Sequence, residues 1–228
     1  MSLELVRTLE TPALDLVAES NHRIANHLAM IAGLMRSQGA RIFEQQQALT
    51  VREVRLTLEE YAARLETVGK VHRMLSHSDQ GDPIDLDAYL EGIARRMLSS
   101  LSLAGEIELS CELRAGCAVP SEKAITLGLL VGELVTNAVK YAHPAGVAGR
   151  ISVAASATRD GSISVNVSDD GVGLPESLDP LDGGGMGLRI IKGLAAKLGA
   201  TISFDNHGLG LSCTVLVPHG KVELRAVS

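Results

Sequence analysis

The sequence has no tryptophan, two phenylalanines and three tyrosines among 228 residues. An interior built from such a chain must be packed with aliphatic side chains. Rings on which nucleobases could stack are largely missing. Positive charge is also in short supply. Lys and Arg number 21 against 27 Asp and Glu, a formal net charge of −6. That balance argues against non-specific binding of nucleic acid. No apolar run approaches the ~18 residues that a bilayer-spanning helix requires. The opening Met-Ser-Leu-Glu-Leu-Val-Arg lacks the pattern of a secretory leader. Cysteine is scarce as well. Cys111, Cys117 and Cys213 sit among apolar residues and read as reduced thiols of a cytoplasmic protein, not as a disulfide framework or a metal site.

What the first third does contain is heptad periodicity. Leu14, Val17, Asn21, Ile24, Leu28, Ile31 and Met35 recur at alternating steps of three and four. Ala18, Ala25 and Ala32 widen this seam into a broader apolar stripe. Gly39 and the polar run around Gln45 predict a turn. A second seam follows through Val51, Val54, Leu58, Tyr61, Leu65, Val68, His72 and Leu75. Two heptad helices joined by a short loop predict an antiparallel hairpin. One hairpin buries too little apolar surface alone, so pairing with a second copy as a four-helix bundle, a homodimer, is expected. Gly81 and Pro83 break the pattern, placing a domain boundary near residue 80. The expected domains are therefore 1–80 and 81–228.

The second part alternates in type. Leu86, Leu90, Ile93 and Met97 predict a helix, and Ile107 to Leu113 a strand. Ser121 is the expected cap of a helix running to His143. Asp160-Gly161 separates two alternating runs and predicts a hairpin. A helix from Met186 ends before Gly199, and a last hairpin turns through Asn206-His207-Gly208. Three helices and about five strands, mostly in hairpins, predict an antiparallel-rich sheet with helices on one face.

Glu133, Asn137 and Lys140 or Tyr141 follow at helical spacing and share one face of the helix that carries them. Leu134, Val135, Ala138, Val139 and Ala142 make the apolar remainder. A carboxylate, an amide and an ammonium aligned beside a core are costly unless partnered, roughly 2–7 kcal/mol for an unpaired polar group. A solvated face explains them as well as a site does. Two glycine-rich stretches follow. Asp169-Asp170-Gly171-Val172-Gly173 comes directly after a strand, and Gly183-Gly184-Gly185-Met186-Gly187-Leu188 directly before a helix. Glycine permits close backbone approach, and a helix N-terminus offers N–H groups to phosphate. Either stretch alone is more often a plain loop. Neither is a P-loop or a dinucleotide fingerprint.

In order, Glu-x-x-x-Asn-x-x-Lys, Asp-x-Gly-x-Gly and Gly-x-Gly-Leu resemble the ATP-binding domain shared by histidine kinases, type II topoisomerases, Hsp90 and MutL, the GHKL type. The segment His22-Arg23-Ile24-Ala25-Asn26 resembles the His-Arg-x-x-Asn acceptor of histidine kinases related to the HWE subgroup, as does Val71-His72-Arg73-Met74-Leu75. The resemblance spans roughly residues 14 to 218. It implies an α+β chain: an acceptor and dimerisation hairpin, then a two-layer α/β sandwich. It further implies that Asp169 receives the adenine amino group, that Asn137 ligates Mg²⁺ beside the ATP phosphates, and that Lys140 neutralises phosphate charge. Tyr141, Gly171, Gly173, Gly185, Gly187 and Leu188 would complete the nucleotide site. Glu133 would orient water or polarise the attacking group. Leu174 to Gly185 would form the lid over ATP, hinged at Gly183 to Gly185.

His22 lies beside the alanine stripe, with Glu19 one turn earlier and Arg23 and Asn26 nearby. Glu19 is the candidate to hold the imidazole and leave Nε2 as nucleophile. His27 competes on position alone. The chain departs from the larger kinase subgroup in its short lid without phenylalanine. Asn21 stands where relatives often carry His, and Arg23 where that subgroup has an acid. No sensor domain is recognisable, so a stand-alone transmitter and a piece of a longer protein are both expected forms.

The expected function is a Mg-ATP-dependent histidine kinase that phosphorylates His22 and passes the phosphoryl group to the receiver domain of a response regulator. The alternatives are a histidine phosphotransferase of the same architecture that relays phosphoryl groups without ATP, and an ATP-driven conformational machine.

Overall fold

The computed structural model describes residues 50–75, 83–100, 107–142, 148–175, 179–180, 185–206 and 209–219, together with 25, 28, 29, 31–33, 35, 36, 39, 40, 42 and 43. The described residues between Ala25 and Phe43 are all helical. Gly39, expected at a turn, is one of them. A single glycine costs a helix only about 1 kcal/mol relative to alanine, too little to end one that packs elsewhere. The rest of the expected turn, around Gln45, lies outside the described residues.

Helix α1 (Val51–Leu75) starts from a reciprocal capping box. The Thr50 N–H donates to Glu53 Oε2 at 2.8 Å, and the Glu53 N–H donates to Thr50 Oγ1 at 3.3 Å. Those two N–H groups would otherwise have no partner within the helix. The Thr50 N–H, with the Thr50 hydroxyl donating to the same Oε2 at 2.7 Å, holds the exposed Glu53 carboxyl below its usual range.

The chain continues as β1 (Ile84–Asp85), α2 (Leu86–Ser100), β2 (Ile107–Arg114), β3 (Ala118–Val119), α3 (Ser121–Tyr141), β4 (Gly149–Ala157), β5 (Ile163–Asp169), α4 (Met186–Lys197), β6 (Thr201–Asn206) and β7 (Leu211–Val217). The main sheet has the order β2-β4-β5-β7-β6. Its β2–β4 pair is parallel and the others are antiparallel. A parallel pair needs a long crossover, and α3 lies within it. The short β1–β3 pair, Ile84 opposite Val119, had no alternation long enough to read from sequence. Ser121 is not the cap of α3. Pro120 holds that position without a side-chain hydrogen bond, and Ser121 is the first helical residue. The expected Gly199 stop of α4 is present, at φ +62°.

Alternation along the strands sorts the two faces. Val153, Val165, Val167, Cys213 and Val215 point to the buried side, which α2, α3 and α4 cover. The opposite side carries small polar residues, with Asn166 Nδ2 donating to Ser212 Oγ and Thr214 Oγ1 at 2.8 and 2.9 Å. This is the expected two-layer α/β sandwich. Helix α3 is its centre: every residue from Ala124 to Val135 is buried, as befits a helix apolar nearly all round.

The core does not stop at the sandwich. Ile31, Tyr61, Val68 and Val71 join the same cluster, and α1 packs on α2 and α3. The seams therefore divide. Tyr61 and Val68 are buried, whereas Val51, Val54, Leu58, Leu65, Leu28 and Met35 are exposed in the single chain. Leu14, Val17, Asn21 and Ile24 lie outside the described residues, as do the side chains of His72 and Leu75.

Candidate functional site

One end of α3, the end of β5 and the start of α4 enclose a cavity of about 500 Å³. That is within the range of small-molecule sites, roughly 300–1,000 Å³. Leu134, Ala138, Val167, Leu188, Phe204, Leu211 and Cys213 make an apolar floor. Asn137, Tyr141 and Asp169 are the side chains that bring polar groups to it.

Asp169 ends β5, where a strand fixes its backbone. Its Oδ1 accepts the Gly171 N–H at 3.0 Å and the Leu211 N–H at 3.3 Å. Two backbone donors on one oxygen leave the carboxylate little freedom to rotate. Asp170 turns the other way and ties the loop to β4, accepting the Arg150 N–H at 2.7 Å.

The glycines of the loop have two distinct reasons. A Cβ on Gly171 would overlap the carbonyl oxygen and Cβ of Ala142 at the end of α3. The close approach lets the Val172 N–H donate to Ala142 O at 2.9 Å, closing the loop onto the helix that carries Asn137. Gly173 has φ +70°, and a Cβ there would overlap Asn206 Oδ1. Asn206 holds Leu174 in return, its Nδ2 donating to Leu174 O at 2.9 Å. Gly210, at φ +108°, lets the β6–β7 turn pass over the Asp169 carbonyl oxygen.

The start of α4 lines the cavity through Gly185, Gly187 and Leu188. Gly185 is its N-cap, with no side-chain hydrogen bond there, and the first turn carries no acidic residue. Backbone N–H groups and the positive end of the helix therefore meet the cavity, and the first turn of the helix brings no carboxylate of its own.

Asn137, Tyr141, Asp169, Gly173, Gly185, Gly187 and Leu188 are thus brought together as the sequence suggested. Gly171 is adjacent and shapes the loop. Lys140 is half-buried in the last turn of α3 and does not line the cavity. Glu133, one turn before Asn137, is 6% exposed and lies outside the cavity wall. His22, His27 and Glu19 lie outside the described residues, as does most of the expected lid; its Leu174, Pro175 and Gly185 line the cavity. Asn206, Gly210, Phe204 and Cys213 went unnoticed as site residues. Asn206 and Gly210 carried only a turn signal, and Phe204 and Cys213 only that of core. Burial pushes the Cys213 thiol up to about 12, so it serves as an apolar wall.

A carboxylate on a strand end, a helix amide and a helix N-terminus thus share one cavity. The sequence matches the family described as histidine kinase-, DNA gyrase B-, and HSP90-like ATPase over residues 122–221. Residues 19–101 match a second family, described as histidine kinase. Blue-light-activated histidine kinase 2 of Erythrobacter litoralis is 31% identical over 205 residues, 89% of this chain and 56% of that protein. Sensor histidine kinase PdtaS of Mycobacterium tuberculosis is 28% identical, over 90% of this chain and 40% of its own. The chain thus spans about half the length of these relatives. A solved histidine kinase domain from an Erythrobacter litoralis blue-light activated histidine kinase superposes with a TM-score of 0.66 at 28% identity, covering 90% of this chain and 91% of that one. The chain belongs to the histidine kinase family, with the histidine kinase match over residues 19–101 followed by the ATPase match over residues 122–221.

Proposed function

We propose that this chain is the transmitter of a two-component system, a Mg-ATP-dependent protein histidine kinase that phosphorylates itself on His22. The observation that carries the reading is Asp169, held by two backbone N–H groups at the wall of a cavity shared with Asn137 and the start of α4. A fixed carboxylate suits an amino group of a purine. The N–H groups at the start of α4 suit phosphates.

In this reading Asp169 receives the adenine amino group, and Val167, Leu188 and Phe204 flank the base. Asn137 offers its amide oxygen to Mg²⁺, which needs few protein ligands when phosphate oxygens and water supply the rest. When bound, the ion neutralises charge on the phosphates. Lys140 adds positive charge at the end of the same helix, and Tyr141 stands at the cavity's mouth. Glu133, one turn before Asn137, orients water or polarises the attacking group. The donor set fits the group: one carboxylate, one amide and uncapped N–H groups around an apolar floor.

The His22 imidazole, oriented by Glu19, attacks the γ-phosphorus. The bond from that phosphorus to the bridging oxygen breaks and ADP leaves. The phosphoryl group then moves to an aspartate in the receiver domain of a response regulator. Positioning and charge stabilisation carry most of such a transfer.

Residues 1–80 act as the dimerisation and acceptor segment and 81–228 as the catalytic one. The exposed apolar stripe of Val51, Val54, Leu58 and Leu65 supports a homodimer. Among the described residues no helix is long and apolar enough to cross a membrane, and the reading places the chain in the cytoplasm. Incubation with γ-labelled ATP tests the proposal. It expects an acid-labile, base-stable phosphoprotein and ATP binding by calorimetry. Binding without labelling, or labelling only from a phosphorylated donor, would refute it.

A further inference from the structure

The back of α3 carries two glycines one turn apart, and each receives a side chain from another helix. A Cβ on Gly128 would lie 2.5 Å from the Tyr89 hydroxyl oxygen of α2. A Cβ on Gly132 would lie 2.9 Å from Thr67 Cγ2 of α1 and 3.7 Å from Met97 Sδ of α2. Glycine is a poor choice inside a helix, and these two give room for neighbours to approach the α3 backbone. Thr67 is 6% exposed, and its hydroxyl donates to Met97 Sδ at 3.6 Å. Val68 and Val71 are buried beside it. At about 100° per residue, Gly128 and Gly132 lie roughly opposite the cavity-lining Leu134, Asn137, Ala138 and Tyr141. Gly132 directly precedes Glu133 in the chain.

We infer that the seating of Thr67 in the Gly132 notch is a positioning joint for phosphoryl transfer. The inference rests on the kinase reading above. Helix α1 belongs to the segment that bears the acceptor, and α3 carries Asn137 at the nucleotide cavity. Transfer needs the attacking imidazole and the γ-phosphorus aligned to within a fraction of an ångström, and a displacement of about 1 Å is enough to cost up to ~100-fold in rate. Two packed helices with a notch at their crossing hold one relative position and not a range of them. Neither Thr67 nor Gly132 lines the cavity; they act by fixing where α1 sits against α3. Filling the notch lifts α1 away and leaves the cavity on the far side of α3 unchanged.

The test uses the full chain and three variants: Gly132→Ala, the double variant Gly132→Ala with Thr67→Ser, and Thr67→Leu. The serine removes the Cγ2 methyl that the new Cβ meets and keeps the hydroxyl. The leucine overfills the notch from α1 without altering α3. Initial labelling rates from γ-labelled ATP are read across an ATP series, beside calorimetric affinity for a non-hydrolysable ATP analogue. Gly132→Ala is expected to lower the maximal labelling rate about tenfold, with KM and analogue affinity unchanged. Thr67→Leu is expected to do the same. The double variant should regain most of the rate, an outcome that a general loss of stability does not produce. A wild-type rate in both Gly132→Ala and Thr67→Leu, a loss that serine fails to restore, or a fall in analogue affinity parallel to the rate would each overturn the joint. A wild-type chain that binds the analogue but does not label refutes the kinase reading, and the joint with it.

Discussion

Asn206 holds Leu174 at both of its backbone groups: Nδ2 donates to the Leu174 carbonyl at 2.9 Å, and Oδ1 accepts the Leu174 N–H at 3.3 Å. One amide side chain at the end of β6 thereby fixes the chain just beyond the Asp-x-Gly-x-Gly loop, where Gly173, Leu174 and Pro175 form one wall of the cavity. The sheet edge and the site loop are joined by this pair.

Asn206→Ala removes both bonds. Asn206 is exposed, so water replaces much of what is lost, and a net cost of about 1 kcal/mol is expected from hydrogen bonds of this kind. If the loop must be ordered to bind, that cost falls on nucleotide affinity, about fivefold by calorimetry. Equal affinity in the variant would show that the clamp does not serve the site.

Two glycine substitutions should move stability in opposite directions. Gly171→Ala places a methyl on the Ala142 carbonyl and should cost about 1–3 kcal/mol, the usual effect of overfilling a packed site. Gly193, inside α4, has nothing within 4 Å of its added Cβ. Gly193→Ala should therefore gain up to about 1 kcal/mol from helix propensity alone. Thermal melting of both variants checks the pair; a Tm for Gly171→Ala at or above wild type would contradict the packing described for the loop.

Asp169→Asn keeps an oxygen for the Gly171 and Leu211 N–H groups and exchanges the other oxygen for a donor. The loop should survive, and ATP affinity should fall by about tenfold or more, as expected when a recognition acceptor becomes a donor, about 1.4 kcal/mol per factor of ten. Unchanged affinity would remove Asp169 from the adenine site. Asn137→Asp is expected to impair use of Mg-ATP while the fold remains.

Labelling assigns the acceptor. His22→Gln should abolish phosphorylation from ATP and leave ATP binding intact, whereas His27→Gln should still label. Glu19→Gln should slow labelling without abolishing it, because a tautomer held less firmly still attacks. Full labelling of His22→Gln would move the search to His27 or His72.

Assembly is read by sedimentation. Leu58 is 59% exposed in the single chain, so Leu58→Glu leaves the protomer's own core untouched. It should nonetheless dissociate a bundle built on the heptad stripe, since an unpaired charge cannot be buried there. Leu28→Glu should act alike. A wild-type chain that sediments as a monomer at micromolar concentration would count against the homodimer.

Sequence alone marked the helices, the five strands of the main sheet and the order of the chemistry. Alternation in Ile151–Ala155 and Ile163–Val167 marked strands because one face of each is buried. Asp169, Asn137 and the glycines around them were legible because spacing along a helix or after a strand fixes which residues can meet. Tertiary structure alone decided the rest. Asn206 and Leu174 are far apart in the chain, and nothing local tells a clamp from a turn residue. Nothing local says why Gly128 and Gly132 stand inside a helix; the reason is Tyr89 and Thr67, which approach from other helices. The heptad seam did not reveal that Tyr61 and Val68 turn inward while Leu58 and Leu65 face out. Periodicity states that a face is apolar; which neighbour covers it depends on contacts between residues distant in sequence, and those exist only once the chain has folded.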